Sequence, residues 1–225
     1  MKSLSMLDLN TWNLTRPEAT PVRTIEAAQI QSGYRDQYFY NDGARITFWA
    51  PVTGTSTGNS RFPRSELRET HPDGTARNWR YAEGDHSLRA TLAVGQVPSN
   101  GTVVIGQMHS KDNISPYIKL VYREVKGVGY INVSLRHKPT DTASPNVMTY
   151  KGMPLNYPFS YAIEVSRTGW VKVNVAGMVY QGQIDPSWKD HRFYYKAGMY
   201  NLDNVGTASE GGRVSFEALG ITHTP

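Results

Sequence analysis

The chain has 225 residues, 39% of them hydrophobic, no cysteine, and 24 Lys and Arg against 19 Asp and Glu, a formal net charge of +5. That length suits one large β domain able to bury its core without covalent staples, and the lack of cysteine excludes disulfides and thiolate metal sites. The mild basic surplus fits a polyanionic partner, and nucleic acid, acidic polysaccharide and anionic membrane all qualify on charge alone.

Taken in chain order, residues 1–8 contain no apolar run of secretory length, and no later stretch approaches a membrane span. The expectation is a protein that stays inside the cell, leaves it by another route, or is numbered from a mature start. Residues 25–31 carry a weak helical pattern. Strand-like runs follow at 45–50, 64–68, 87–94, 102–108, 117–124, 129–136, 161–166, 170–175, 178–181, 192–200 and 213–219, with one helical turn expected near 185–189. The breaks hold Gly, Pro, Asn, Asp or Ser, as in Pro98-Ser99-Asn100-Gly101. Many short strands between turn signals argue for a sandwich or barrel. With no internal repeat and no linker, residues 1–225 read as a single domain. The loops at 52–60 and 138–147 are polar and read either as mobile lids or as plain surface loops.

Alternation sets the faces of these strands. Ile118, Leu120 and Tyr122 share one face and Lys119 takes the other. Val171, Val173 and Val175 oppose Lys172 and Asn174. Such strands bury one side and leave the other wet, which predicts two stacked sheets with one outer face free for a ligand. In three runs the wet face carries reactive groups: Arg64, Glu66 and Arg68 in the first, Gln107 and His109 in the second, Lys196 and Tyr200 in the third. The intervening Leu67, Met108, Ala197 and Met199 are fit for the core. Arg, Gln, His, Lys and Tyr together are the set that grips an acidic sugar and moves a proton.

The segments Arg64-Ser65-Glu66-Leu67-Arg68-Glu69, Gln107-Met108-His109 and Tyr194-Tyr195-Lys196-Ala197-Gly198-Met199-Tyr200-Asn201 resemble, in sequence and in order, the three signature segments of the polysaccharide lyase family 7 alginate lyases. Asp8 to Thr15, Asn78-Trp79-Arg80-Tyr81 and Glu210-Gly211-Gly212-Arg213 resemble members of that family too, so the likeness covers nearly the whole chain. The resemblance implies an all-β, concanavalin-like jelly roll of two antiparallel sheets with a concave substrate cleft. It implies β-elimination of the 1,4 bond of a mannuronate and guluronate polymer, an endolytic cut and unsaturated oligosaccharide products. It assigns catalysis to Arg64, Gln107, His109 and Tyr200, and places Arg68, Lys196, Lys119, Arg80, Glu66 and Asn201 among the substrate-binding residues. No cofactor or metal is expected, and the partner is an acidic polysaccharide met by a monomer, with neither nucleic acid nor membrane. Met108 departs from the Ile or Val usual at that position and leaves block preference open, with a lean towards mixed or guluronate-containing stretches.

The chemistry stands beside the resemblance. Elimination removes a weakly acidic proton next to a carboxylate, so that carboxylate must be neutralised and the developing enolate stabilised. Arg64 can bind it bidentately, Gln107 can donate an N–H, and a protonated His109 would add a charged donor. Tyr200 can act as base, acid or both, and Lys196 on the same face would lower the phenol's pKa from its usual value of about 10. If proton and leaving oxygen lie on one side of the ring, Tyr200 serves both; if on opposite sides, neutral His109 abstracts and Tyr200 donates.

Three other readings compete. A non-catalytic module binding acidic polysaccharide would keep the aromatic and basic residues but would not need Tyr200. A glycoside hydrolase needs two carboxylates flanking the bond, whereas Glu66 and Glu69 face opposite ways. A nucleic-acid binder would cluster its cations in stripes, and here they are dispersed. Glu66 is read as an ion-paired orienter rather than a catalyst. His71, His86, His137, His191 and His223 lie near turns or ends and are expected at the surface.

Overall fold

The computed structural model describes residues 7–18, 24–58 and 60–225. Turn chemistry cuts the chain into strands β1 (Trp12–Thr15), β2 (Thr24–Ile25), β3 (Phe39–Asn41), β4 (Ile46–Pro51) and β5 (Arg64–Glu69). The middle of the chain gives β6 (Asp85–Gln96), β7 (Thr102–Ser110), β8 (Ile118–Val125), β9 (Val128–Leu135) and β10 (Asn146–Lys151). It ends with β11 (Phe159–Val165), β12 (Trp170–Val175), β13 (Met178–Gln183), β14 (Phe193–Asn201) and β15 (Gly211–Thr224). An eight-stranded antiparallel sheet runs β10-β9-β8-β7-β14-β5-β1-β2, and a seven-stranded one runs β13-β12-β11-β6-β15-β4-β3. The two stack as the expected jelly roll.

The core lies between the sheets. The first contributes Leu14, Leu67, Met108, Leu120, Tyr122, Val133, Ala197 and Met199, and the second Phe48, Leu88, Leu92, Ile163, Val173 and Phe216, all buried. Each large apolar side chain so covered contributes about 1.5–3 kcal/mol against exposure. Alternation within each short motif segment therefore assigns its inner residues correctly.

Alternation fails at one place, and the failure positions the site. In β7, Val103 and Ile105 face the core, so strict parity would turn Gln107 inward. A register shift against β8 between Val104 and Gly106 inserts an extra residue. Gly106 follows Ile105 on the core side, where an added Cβ would lie 2.5 Å from the Tyr161 hydroxyl. That hydroxyl donates to the Ile105 carbonyl at 3.0 Å. The bulge thus returns Gln107 and His109 to the cleft face, a usual office of such irregularities. A matching shift separates Ala197 from Tyr200 where β14 meets β7, and Gly198 there has φ +134°, a region where side chains are strained.

Three local expectations change. The helix spans Ala27–Gln31, two residues shorter than expected, because Ile25 pairs with Leu14 in β2. Glu26 caps it, its backbone N–H donating to the Gln29 side chain at 3.1 Å. The turn near 185–189 is a 3-10 turn over Pro186–Trp188, capped by Asp185. Strand β10 was not anticipated. Its residues are mixed and half-exposed, and it pairs only with β9 at the sheet edge, so no burial pattern marks it.

Candidate active site

The pairing of five strands writes a continuous polar row across the eight-stranded sheet. Arg68 on β5 lies opposite Lys196 on β14, Lys196 opposite Gln107 on β7, Gln107 opposite Lys119 on β8, and Lys119 opposite Ser134 on β9. One step along the strands, Tyr194 faces His109. Two steps the other way, Tyr200 faces Arg64. Neighbouring strands are about 4.8 Å apart, so the motifs meet within one patch.

Glu66 is the hub of that patch. Its residue is 1% exposed, and its carboxylate accepts from Arg64 Nη1 at 3.0 Å, from Lys196 Nζ at 2.6 Å and from Gln107 Nε2. Burial alone would raise its pKa, but Lys196 and Arg64 beside it hold the carboxyl below the usual value. Glu66 is ion-paired, as expected. Glu66 was also expected to bind substrate, and its two oxygens are instead spent on protein donors.

The reactive groups stand around the hub. The Arg64 guanidinium lies over the Tyr200 ring, 3.9 Å from its centroid. Arg64, rather than Lys196, is therefore the cation packed on Tyr200, because Lys196 is drawn to Glu66. The Tyr200 hydroxyl is 3.0 Å from Ser60 Oγ. His109 Nδ1 lies 2.8 Å from the Ser110 carbonyl. A carbonyl only accepts, so Nδ1 carries the proton and Nε2 keeps its lone pair. Burial, with Lys196 nearby, pushes His109 down to about 4, so the ring is neutral near pH 7. The protonated donor considered from sequence is thus replaced by a neutral imidazole. Burial also pulls Lys196 below the ordinary lysine value.

Tyr194 is a site residue that the motif reading passed over, although its parity with Lys196 and Tyr200 was legible. Its ring stacks on His109 at 5.2 Å and 18°, and the Arg68 guanidinium lies over the same ring, 4.2 Å from its centroid. Arg68 is fixed in turn by Asn78 Oδ1 at 2.6 Å. The column Arg68, Tyr194, His109 sets the plane of the imidazole. Ser60 was also missed, for nothing local marks a loop serine that reaches a residue 140 positions away.

Two expected binding residues stand elsewhere. Asn201 is fully buried and donates to the Ala50 carbonyl at 2.8 Å, because strand parity turns it inward beside Met199. Arg80 lies at the surface and pairs with Glu83 at 3.4 Å. Lys119 sits in the polar row, half-buried. The histidines also divide. His86 is buried and bridges to His223 at 2.6 Å, and His223 reaches Glu69 at 2.6 Å. These two are therefore not surface residues, since β6 and β15 pair across the sheet and carry them inward together.

Among the described residues, no group of three His, Cys, Asp or Glu is arranged to hold a metal ion. What the cluster offers is a neutral imidazole, a phenol and a set of cationic and amide donors around one spot.

Comparison with known proteins bears on this arrangement. A family model described as alginate lyase matches residues 7–223. The alginate lyase of Klebsiella pneumoniae is 26% identical over 279 aligned positions, which cover 96% of this chain and 89% of that protein. The crystal structure of alginate lyase PA1167 from Pseudomonas aeruginosa is similar at a TM-score of 0.93 and 44% identity, covering 96% of this chain and all of the other. That of alginate lyase A1-II', a member of polysaccharide lyase family 7, is similar at 0.86 and 29%, covering 97% and 96%.

Proposed function

The chain belongs to the alginate lyase family and is a polysaccharide lyase, and from that premise we propose that it cuts the 1,4 bonds of a mannuronate and guluronate polymer by β-elimination, within the chain, releasing unsaturated oligosaccharides. The observation that carries the reading is the pairing of a neutral His109, its Nε2 lone pair uncommitted, with the Tyr200 hydroxyl beside the Arg64 guanidinium.

In this reading the uronate carboxylate docks on donors that Glu66 has oriented. Gln107 gives Glu66 one N–H and keeps the other, and Arg64 gives it one of its five. Their positive field neutralises the carboxylate and makes the adjacent C–H more acidic. His109 Nε2 takes that proton, or Tyr200 does when it enters the step as the phenolate. The electron pair moves into the new C=C bond, the C–O bond to the neighbouring sugar breaks, and Tyr200 protonates the leaving oxygen. Donors set in advance around the developing enolate are worth about 10²–10³ in rate each. Which group abstracts depends on the sugar's configuration at the carbon losing its proton. The alternative of a binding module without turnover leaves Tyr200 idle.

The test is Tyr200→Phe on alginate, with turnover followed by the ultraviolet absorbance of the conjugated product. We expect turnover to fall by about 10²–10⁴ while polymer binding persists. Equal turnover in the variant rejects the assignment of Tyr200. Pure mannuronate and guluronate blocks separate the two proton routes, and product length separates endolytic from exolytic action. Residues 1–225 acting as a single domain are tested by the same preparation, which should melt in one transition.

A further inference from the structure

We propose that Lys119 and Arg136 form a second carboxylate subsite, holding the acid group of the uronate next to the one that reacts; the inference rests on the lyase reading above and extends it along the cleft. Arg136 follows the last residue of β9, and its backbone N–H continues the ladder by donating to the Tyr117 carbonyl at 2.9 Å. It lies two positions beyond Ser134, hence on the same face, diagonal to Lys119 in the strand pair.

Arg136 is 7% exposed, its Nε is buried without a partner, and among the described residues no carboxylate pairs with it or with Lys119. Burial and the Arg136 charge together hold Lys119 below the ordinary lysine value. A buried Arg136 and a half-buried Lys119, diagonal neighbours with no carboxylate partner among the described residues, raise the free energy of the empty site. An anion that relieves them binds with most of that penalty returned.

The position selects the anion. Lys119 is the neighbour of Gln107 in the polar row, and Arg136 lies one strand further on. Successive strands are about 4.8 Å apart, so this pair sits one to two strand spacings from the Gln107 amide. A 1,4-linked polymer of uronic acids carries one carboxylate on every ring, and a chain laid along the row presents the next acid group there. Arg136 has the fork geometry that takes a carboxylate in two bonds. The catalytic cluster does not compete for this role, because in the lyase reading the surplus charge of Arg64 and Lys196 over Glu66 is taken by the carboxylate of the reacting ring.

The experiment uses Arg136→Met and Lys119→Met, which keep much of the stem packing and remove the charge, with a saturated tetra-uronate and polymeric alginate as probes. We expect each variant to raise KM on the polymer at least tenfold with kcat within about twofold, and the affinity of the tetra-uronate for the Tyr200→Phe background to fall by the same factor. The dependence of binding on sodium chloride should flatten in both variants. A polymer with part of its carboxylates esterified should bind the wild type more weakly and the variants little differently. Unchanged KM, or a fall in kcat at constant KM, overturns the subsite. If Arg136→Met fails to fold, Lys119→Met carries the same expectations alone. A wild type that binds the tetra-uronate through this pair yet cleaves no uronan keeps the subsite and defeats the lyase reading.

Discussion

Strand β5 carries two buried glutamates three residues apart, Glu66 and Glu69, and they anchor networks of opposite kind on its two faces. Glu66 gathers Arg64, Lys196 and Gln107 at the floor of the open face. Glu69 gathers His223 at 2.6 Å, the Trp79 indole N–H at 3.1 Å and the Tyr195 backbone N–H at 2.8 Å. Beyond His223, His86 completes the chain and bonds the Arg80 carbonyl at 3.2 Å. That carbonyl requires an N–H from His86, so His86 receives its other bond from His223, and the Glu69 to His223 contact must hold a proton of its own. The Glu66 network has more cationic donors than its carboxylate can use, and in the proposed reading the surplus takes the substrate's carboxylate. The Glu69 network lies under Trp79, which stacks on His86 at 3.9 Å, and its carboxylate, already holding three donors, also faces Arg77 Nε at 3.7 Å. Burial alone therefore does not make a functional site; uncommitted donors next to open space do.

The comparison breaks or sharpens by substitution. Glu66→Gln should lower kcat by about 10² or more, since donors displaced by an ångström lose that much. Glu69→Gln should leave kcat of the folded protein within a few-fold but cost about 3–5 kcal/mol of stability, because a buried partner is left uncompensated. Steady-state kinetics and denaturant melts on both proteins decide this. A Glu69 variant that keeps its stability and loses turnover would erase the distinction.

Acid should act on both networks. His109 and His86 are each pushed down to about 4, chiefly by burial, from an ordinary 6.5. Between those values the unfolded chain binds more protons than the folded one, so stability falls as pH drops from 6.5 towards 4. A loss of about 2 kcal/mol corresponds to roughly 4–8 °C in melting temperature at this length. His109→Gln should remove its share of that slope. An unaltered slope would assign the whole effect to the His86 side. The smallest effect is expected of Tyr194→Leu. Losing the stack on His109 is worth about 0.5–1.5 kcal/mol, a few-fold to tenfold in turnover, with the fold kept.

Much of this was legible before any fold was known. The period of two in the motif strands assigned Leu67, Met108, Ala197 and Met199 to the core and Arg64, Gln107, His109 and Lys196 to the cleft. It also placed Glu66 and Glu69 on opposite faces. The same rule, followed one residue further, turns Asn201 inward, and its resemblance to a signature segment outweighed that parity. Arg80 was misplaced for a similar reason: a shared segment says that a residue belongs to the fold, not that it meets the ligand. His86 and His223 were misjudged because both sit at strand ends, where sequence shows no cover, and each is buried against Trp79 and a partner histidine 137 positions away.

The residues thus determined by themselves which chemical groups the chain carries and, within each motif segment, which side chains share a face, since side-chain type and short-range alternation are local properties. Tertiary structure decided the rest. The bulge at Gly106 set the direction of Gln107 and His109, pairing across five strands aligned the polar row, and packing chose Arg64 rather than Lys196 as the cation on Tyr200. Those outcomes depend on register and on competition for a single buried carboxylate, and both exist only once distant strands have come together.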